Sequence, residues 1–168
     1  MRYIAASNYT APRLAQALAV SDRDGRARYV ALQQHYNLME RGKYEGELAD
    51  LMIRERLSSL PYFALASGFL TGKYRPDSKV ESQRAETAGA YLNEKGIRVL
   101  TALDEVAAAH GISVTTTALA WLAAQPTVAA PIASARTTEQ LPDLLRVAEV
   151  RLSNAELQRL NQASAPAS

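Results

Sequence analysis

The stretch LPYFALASGFLTGKY, residues 60–74, begins with a short apolar run and continues into small residues and a lysine. The run at 60–63 predicts a short buried strand. After this run comes an irregular stretch, 66–87, that is rich in Gly, Ser, Lys and Arg. Connections longer than about 12–15 residues in compact domains are usually functional or disordered. The sequence therefore predicts a strand that ends in a loop of one of these two kinds.

Three further strand-like runs lie on either side of this stretch, at 2–7, 28–33 and 128–132. Helical patterns separate them, and the predicted helices begin at Pro12 and span 45–56, 93–110 and 113–124. Two capping-box spacings, Thr137-x-x-Gln140 and Ser153-x-x-Glu156, predict the last two helices. Strands that alternate with helices indicate parallel βαβ units, so we predict an α/β fold of four such units in one domain, 1–168.

Composition narrows the possible functions. Hydrophobic residues make up 48% of the chain and charged residues 21%, as in an ordinary globular protein. The net charge is +2 and the basic residues are scattered, so no nucleic-acid surface is expected. There is no cysteine, and the two histidines are far apart, so no metal site is expected. Neither a membrane span nor a signal peptide is evident, so a cytoplasmic location is the default expectation.

Four segments, each at the end of a predicted strand, resemble the aldo-keto reductase family in the same order. They are IAASN at 4–8, YVALQQHYNL at 29–38, the stretch at 60–74 and APIASARTTEQL at 130–141. The resemblance covers nearly the whole chain and implies a parallel (β/α) barrel of the TIM type. Such barrels carry their active sites at the carboxyl ends of the strands.

The resemblance also implies that only part of the barrel is present. Barrels of this type have roughly 250 residues, and this chain has 168. Its segments resemble strands five to eight, so we expect a half-barrel of four β/α units with an extra C-terminal helix. The family's catalytic Asp, Tyr, Lys and His lie on the first four strands and have no counterpart here. Whether Met1 is a natural start or a truncation stays open.

The strand ends carry the residues that the resemblance assigns to the nicotinamide. Ser7 and Asn8 match a pair that binds its carboxamide, and Gln33 matches a glutamine with the same role. Tyr62 matches an aromatic residue that stacks on the ring. Taken alone, Ser7 and Asn8 would be an ordinary turn, Gln33 an exposed strand end and Tyr62 a core residue. We interpret His35 as a structural or surface residue.

The loop after the third strand matches the family's cofactor loop. The matching positions are Phe63, Leu65, Ala66 and Ser67, although Phe63 stands where a serine is often found. Small residues there would let backbone N–H groups approach a pyrophosphate. Lys73 matches a lysine that meets the phosphates, and Arg84 is a candidate for a second positive charge.

The last strand leads into residues that the resemblance assigns to the adenosine end. Ser134, Arg136 and Gln140 match positions around the 2′-phosphate, at a predicted helix N-terminus that would attract an anion. This match favours NADPH over NADH. Asp143 matches an acidic residue at the adenine. The alternative for Arg136 is a solvated surface charge.

Two functions follow. The first is an NADP(H)-dependent oxidoreductase that reduces small aldehydes or ketones, with this chain supplying the cofactor-binding half and inactive alone. The second is a non-catalytic half-barrel that binds cofactor or a partner chain.

An open half-barrel exposes strand edges, which recruit other strands, so we expect a homo-oligomer or pairing with the missing half. Tyr9, Tyr36 and Tyr62 are predicted near the cofactor mouth, and none has a neighbouring Lys or His that would make it an acid.

Overall fold

The computed structural model describes residues 1–78, 80 and 85–165. Three strands form a parallel sheet in chain order: β1 (Ile4–Ser7), β2 (Tyr29–Gln33) and β3 (Ser58–Ser59). The helices in the described residues are α1 (Ala11–Arg23), α2 (Glu47–Arg54), α3 (Ala85–Gly89), α4 (Glu94–His110), α5 (Val114–Ala123), α6 (Leu141–Leu145) and α7 (Asn154–Ser164). The predicted α/β class and parallel strand arrangement are confirmed.

The register of the sheet puts polar strand ends side by side. Ser7 pairs with Gln33, and Leu32 pairs with Ser59. Because successive side chains of a strand point to opposite faces, Leu32 and Ala6 lie on one face, where both are buried. Ser7 and Gln33 therefore lie on the other face, at the carboxyl edge of the sheet.

The third strand differs from its prediction. We predicted it at 60–63, whereas the regular pairing of β3 ends at Ser59. Pro61 has no N–H to donate to the ladder. Around it the pairing continues in part, since Leu60 N donates to Leu32 O at 3.0 Å and Tyr62 forms an isolated parallel bridge with His35. The chain at Tyr62 thus remains beside the end of β2.

The predicted fourth strand, 128–132, is extended but not regular. Val128 forms an isolated bridge with Ser59. Ala129 N donates to Ser59 O at 2.9 Å, and Ile132 N donates to Pro61 O at 2.8 Å. This segment therefore lies along the outer side of β3 without forming a continuous ladder.

The stretch predicted as irregular, 66–87, contains two elements that the sequence analysis missed. A 3₁₀ turn spans Ala66–Thr71, and the short helix α3 follows at its far end. Phe69 and Leu70 in the turn are fully buried. Their burial explains why the turn at Ala66–Thr71 is ordered.

The helices pack against the buried face of the sheet and against one another. Trp121 of α5 is fully buried, and its indole N–H donates to Asn161 Oδ1 at 2.9 Å. Trp121 is thus a packing residue of the core. The capping box at Ser153 and Glu156 is also confirmed. Among the described residues no single helix is long and apolar enough to cross a membrane; α4 and α5 pass that test only as a pair bent by 97°.

Candidate functional site

Polar side chains from two of the predicted segments meet at the carboxyl edge of the sheet. Tyr62 Oη donates to Asn8 Oδ1 at 2.7 Å, and Asn8 Nδ2 donates to Ser7 Oγ at 3.2 Å. The backbone N–H of Asn8 donates to Gln33 O at 2.9 Å. Four residues predicted at the site are therefore adjacent, and we call Ser7, Asn8, Gln33 and Tyr62 the strand-end cluster. Ser7 and Asn8 are exposed, so their free hydrogen-bonding capacity faces solvent.

The backbone around this cluster is strained. Among the described residues six non-glycine residues have positive φ, and four of them are predicted site residues: Asn8 at 58°, Phe63 at 51°, Ala66 at 47° and Ser67 at 57°. Each such residue costs about 1–3 kcal/mol and persists only where its surroundings hold it. Strain of this kind collects at ligand-binding positions. The concentration of strain next to the strand-end cluster marks this edge as a candidate site.

The loop after Tyr62 offers fewer backbone donors than the sequence suggested. The N–H of Ala66 donates to Phe63 O, and that of Gly68 donates to Leu65 O, both at 2.8 Å. These two groups are satisfied within the turn and are not free for a phosphate. Phe63 is 50% exposed.

A positive charge lies beside this turn. Lys73 is exposed, and its Nζ lies 3.8 Å from the position that a Cβ on Gly68 would take. The same ammonium lies 5.1 Å from the centre of the Tyr74 ring. Lys73 is thus available to an anion bound over the turn. Arg84 falls outside the described residues.

The predicted adenosine segment is exposed, but it lacks the helix start that was expected. Ser134, Arg136 and Gln140 are exposed and Asp143 is half-buried. The side chain of Thr137 makes no capping hydrogen bond, so the capping box predicted there is wrong. Gln140 Oε1 instead accepts from the backbone N–H of Arg136 at 2.9 Å.

A single 3₁₀ turn and the five-residue α6 follow this segment. Pro142 lies in the first turn of α6, and the chain continues into another short 3₁₀ turn rather than a longer helix. So short a helix contributes little dipole. Any anion specificity here must rest mainly on the charge of Arg136.

A cleft of about 670 Å³ opens beside the strand-end cluster. Asn8 and Tyr62 of the cluster line it, together with Tyr9, which was predicted near the cofactor mouth. Further lining comes from amide, imidazole and charged residues that the sequence analysis had not assigned to the site: Gln34, His35, Lys43, Glu45 and Glu47. The cleft and the cluster therefore share two residues, Asn8 and Tyr62.

His35 is the most closely connected of these additional residues. Its ring stacks on Tyr62 with centroids 5.6 Å apart and an interplanar angle of 24°, and it meets Phe63 edge-on at 5.2 Å. Burial lowers the pKa of His35 below its ordinary value. The spacing of His35 two residues after Gln33 was the available signal, because alternate residues of a strand share a face.

Asn37 fixes the turn that follows His35. It is fully buried. Its Nδ2 donates to Phe63 O at 2.9 Å and lies 3.3 Å from His35 Nε2. Its Oδ1 accepts from the backbone N–H groups of Met39 at 2.8 Å and Glu40 at 3.0 Å. One amide thus ties the end of β2 to the backbone after Tyr62.

Gln34 lies beneath the cleft with one unsatisfied atom. Its side chain is buried, with 5% exposure, and Nε2 donates to Ser59 Oγ at 2.8 Å. Its Oε1 has no hydrogen-bond partner among the described residues. A buried amide oxygen without a partner costs about 1–3 kcal/mol, which a donor entering from the cleft would recover.

The three tyrosines predicted near the cofactor mouth have different surroundings. Tyr62 is at the site, and Tyr9 lines the cleft. Tyr36 is in the core, with 1% exposure, and donates to Glu45 Oε1 at 2.8 Å. Burial and this carboxylate raise the pKa of Tyr36 far above its ordinary value. The prediction that Tyr36 lies near the cofactor mouth is wrong, because its side chain is buried in the core beyond the end of β2.

Comparison with known proteins assigns this chain to a family. The model of the Aldo/keto reductase family matches residues 1–165. The chain is 31% identical to Protein tas of Escherichia coli K12, over 96% of this chain and 48% of that protein. It is 27% identical to the aldo-keto reductase AMT2 of Alternaria alternata, over 95% of this chain and 43% of that protein.

A further relative is named as a channel subunit rather than as a reductase. A probable voltage-gated potassium channel subunit beta of Oryza sativa subsp. japonica is 29% identical, over 88% of this chain and 47% of that protein. The chain spans about half the length of the curated relatives it matches.

Proposed function

This chain belongs to the aldo/keto reductase family, and we propose that it supplies the NADPH-binding side of a barrel that reduces small aldehydes or ketones. The hydrogen-bonded strand-end cluster at the carboxyl edge of the parallel sheet carries the proposal. Ligand sites of such sheets lie at this edge. A bound nicotinamide cofactor would supply hydride to a carbonyl carbon.

The chemistry of the cluster fits a nicotinamide. Ser7 and Asn8 offer an exposed hydroxyl and an exposed amide, which can both donate to and accept from a carboxamide. The Tyr62 ring is partly exposed and is held by its hydrogen bond to Asn8. A ring fixed in this way is preorganised to stack on a flat heterocycle. These three residues would orient the nicotinamide at the edge of the cleft.

Two positively charged side chains could bind the phosphate groups of the cofactor, away from its nicotinamide ring. Lys73 lies beside the turn at Gly68, where it would meet the pyrophosphate. Arg136 is exposed and would pair with a 2′-phosphate, which NADPH has and NADH lacks. A charge-assisted hydrogen bond of this kind is about twice as strong as a neutral one. Arg136 is therefore the residue on which the preference for NADPH rests.

The proton for the reduced carbonyl oxygen would come from residues outside this chain. Tyr36 is buried and bonded to a carboxylate, and Tyr62 already donates to Asn8. Tyr9 packs edge-on against Tyr29 at 5.9 Å. A tyrosine needs a lowered pKa to act as a general acid near neutral pH, whereas burial and Glu45 raise the pKa of Tyr36. We propose that the 168-residue chain binds cofactor without turnover.

A non-catalytic role is the second candidate. The outer edge of β1 is unpaired among the described residues, and exposed strand edges recruit partner strands. The relative named as a channel subunit makes a binding role plausible for this fold. In this case the cofactor would be bound in order to control an interaction rather than to reduce a carbonyl.

Calorimetric titration of the 168-residue chain with NADPH tests the first proposal, with Asn8→Ala as the variant and Gln158→Ala, an exposed position on α7, as control. We expect the Asn8 variant to bind roughly tenfold more weakly, because one side-chain bond of about 1.4 kcal/mol is lost, and the control to match wild type. Equal binding by both variants would contradict the proposed site.

Turnover separates the two functions. NADPH consumption with 4-nitrobenzaldehyde is expected to stay at the rate without protein. Consumption above that rate by the chain alone would overturn the assignment of the proton donor to residues outside it. Activity that appears only when the first half of a related barrel is added would favour the reductase over the non-catalytic role.

A further inference from the structure

The face of the Tyr62 ring is supported by His35, an imidazole that no part of the proposed function uses. The two rings stack at 5.6 Å and 24°, and their residues are paired across the sheet edge by a parallel bridge. Among the described residues the rings in contact with Tyr62 are those of His35 and Phe63. His35 thus lies behind the ring that is proposed to stack on the nicotinamide.

We infer that His35 is a positioning residue that holds the Tyr62 ring from behind and makes binding of the oxidised cofactor sensitive to pH. The inference rests on the proposed function, since it takes Tyr62 as the nicotinamide platform. In this arrangement His35 lies one ring away from a nicotinamide that stacks on Tyr62.

The hydrogen bond of His35 requires its neutral form. Asn37 Nδ2 is a donor only, so His35 Nε2, 3.3 Å away, accepts from it. A protonated imidazole has no acceptor nitrogen, and protonation would therefore break this contact. Since Asn37 also donates to Phe63 O, the contact joins His35 to the backbone next to Tyr62.

The surroundings of His35 favour the neutral ring near pH 7. Burial lowers its pKa, the carboxylate of Glu40 acts in the opposite direction, and the ammonium of Lys43 acts with burial. The titratable and charged groups around it in the described chain are Glu40 and Lys43 on its own turn, Tyr62 on the neighbouring strand, and the cleft-lining Tyr9, Glu45 and Glu47. His35 would become a cation only as the pH falls through this lowered pKa.

A cation at His35 would distinguish the two redox forms. The nicotinamide ring is positive in NADP⁺ and neutral in NADPH. Two ring-to-ring steps of about 5 Å would place a charge on His35 about 10 Å from that ring. At an effective dielectric constant of about 40, the repulsion weakens NADP⁺ binding relative to NADPH by about fourfold.

The test compares wild type with His35→Phe, which keeps a ring against Tyr62 but cannot be protonated. His110→Gln is the matched control, because His110 is the only other histidine in the sequence and pairs with Glu156 on α7. The ratio of the NADP⁺ and NADPH dissociation constants is measured from about pH 8 to about pH 4.5, because the lowered pKa of His35 requires a range that extends well below the ordinary pKa of histidine. Titration of the cofactor phosphates is common to both forms and cancels in this ratio.

We expect the ratio to rise about fourfold at acid pH in wild type and in the His110 control, and to stay flat in His35→Phe. A flat ratio in wild type would overturn the inference. NMR of the cofactor-free chain provides a second measurement, in which the Tyr62 ring protons should shift together with the titration of His35. If neither cofactor binds, the proposed function is wrong, and the NMR titration then tests the positioning role by itself. Tyr62 signals that do not change as His35 titrates would overturn that role.

Discussion

Asn37→Ala is expected to cost much of the stability of this chain, because a single buried amide serves four partners. The substitution removes the donor to Phe63 O at 2.9 Å and the contact to His35 at 3.3 Å. It also removes the acceptor for the N–H groups of Met39 and Glu40. Each lost bond is worth about 1 kcal/mol net, so we expect the free energy of unfolding to fall by about 3–4 kcal/mol.

Urea denaturation is the assay, with the midpoint and the slope fitted separately. We expect a lower midpoint and an unchanged slope, since the surface exposed on unfolding does not change. Asn93→Ala is the control: the Asn93 side chain accepts one bond, from Gly96 N at 3.0 Å, at the start of α4. Loss of an N-cap costs about 1 kcal/mol. A loss for Asn37→Ala no larger than that of the control would show that Asn37 does not hold this turn together.

Three further predictions concern specificity, the core and assembly. Arg136→Ala should weaken NADPH by about 1.5–3 kcal/mol and leave NADH unchanged in calorimetry; an equal loss for both cofactors would remove Arg136 from the phosphate. Tyr36→Phe should lower the free energy of unfolding by about 1 kcal/mol without changing cofactor affinity, because Arg41 still pairs with Glu45 at 2.8 Å; altered affinity would contradict the core position of Tyr36. The open edge of Ile4–Ser7 should make the chain dimeric or larger in light scattering, and a stable monomer at micromolar concentration would contradict this.

Local patterns predicted the regular elements well. Apolar runs predicted β1 and β2, and the Ser153–Glu156 spacing predicted the start of α7 because both partners of a capping box lie within one turn. Gly111 ends α4 in the left-handed conformation, as a glycine just past a helix commonly does. Each of these features depends on neighbours that are close in sequence.

Features that depend on distant contacts were not predicted. The third strand ends early because Pro61 interrupts a ladder whose partner is 27 residues away at β2. Thr137 failed as a cap because the Gln140 side chain is used by Arg136 N instead. The contacts of His35 and Asn37 with Phe63 exist because the turn after β2 packs against the chain after Tyr62. This packing joins segments that are distant in sequence. Sequence located the strand ends, whereas the arrangement of side chains around Tyr62 required the tertiary structure.

NMR mapping of NADPH on the isotopically labelled 168-residue chain tests the central claim most directly. Backbone and side-chain signals would be followed as the cofactor is added. The account predicts shifts at the strand-end cluster, in the turn before Lys73 and around Arg136, while signals on the exposed face of α7 around Gln158 stay in place. Shifts confined to that face of α7, or none at millimolar NADPH, would contradict the claim that this chain carries the cofactor side of the barrel.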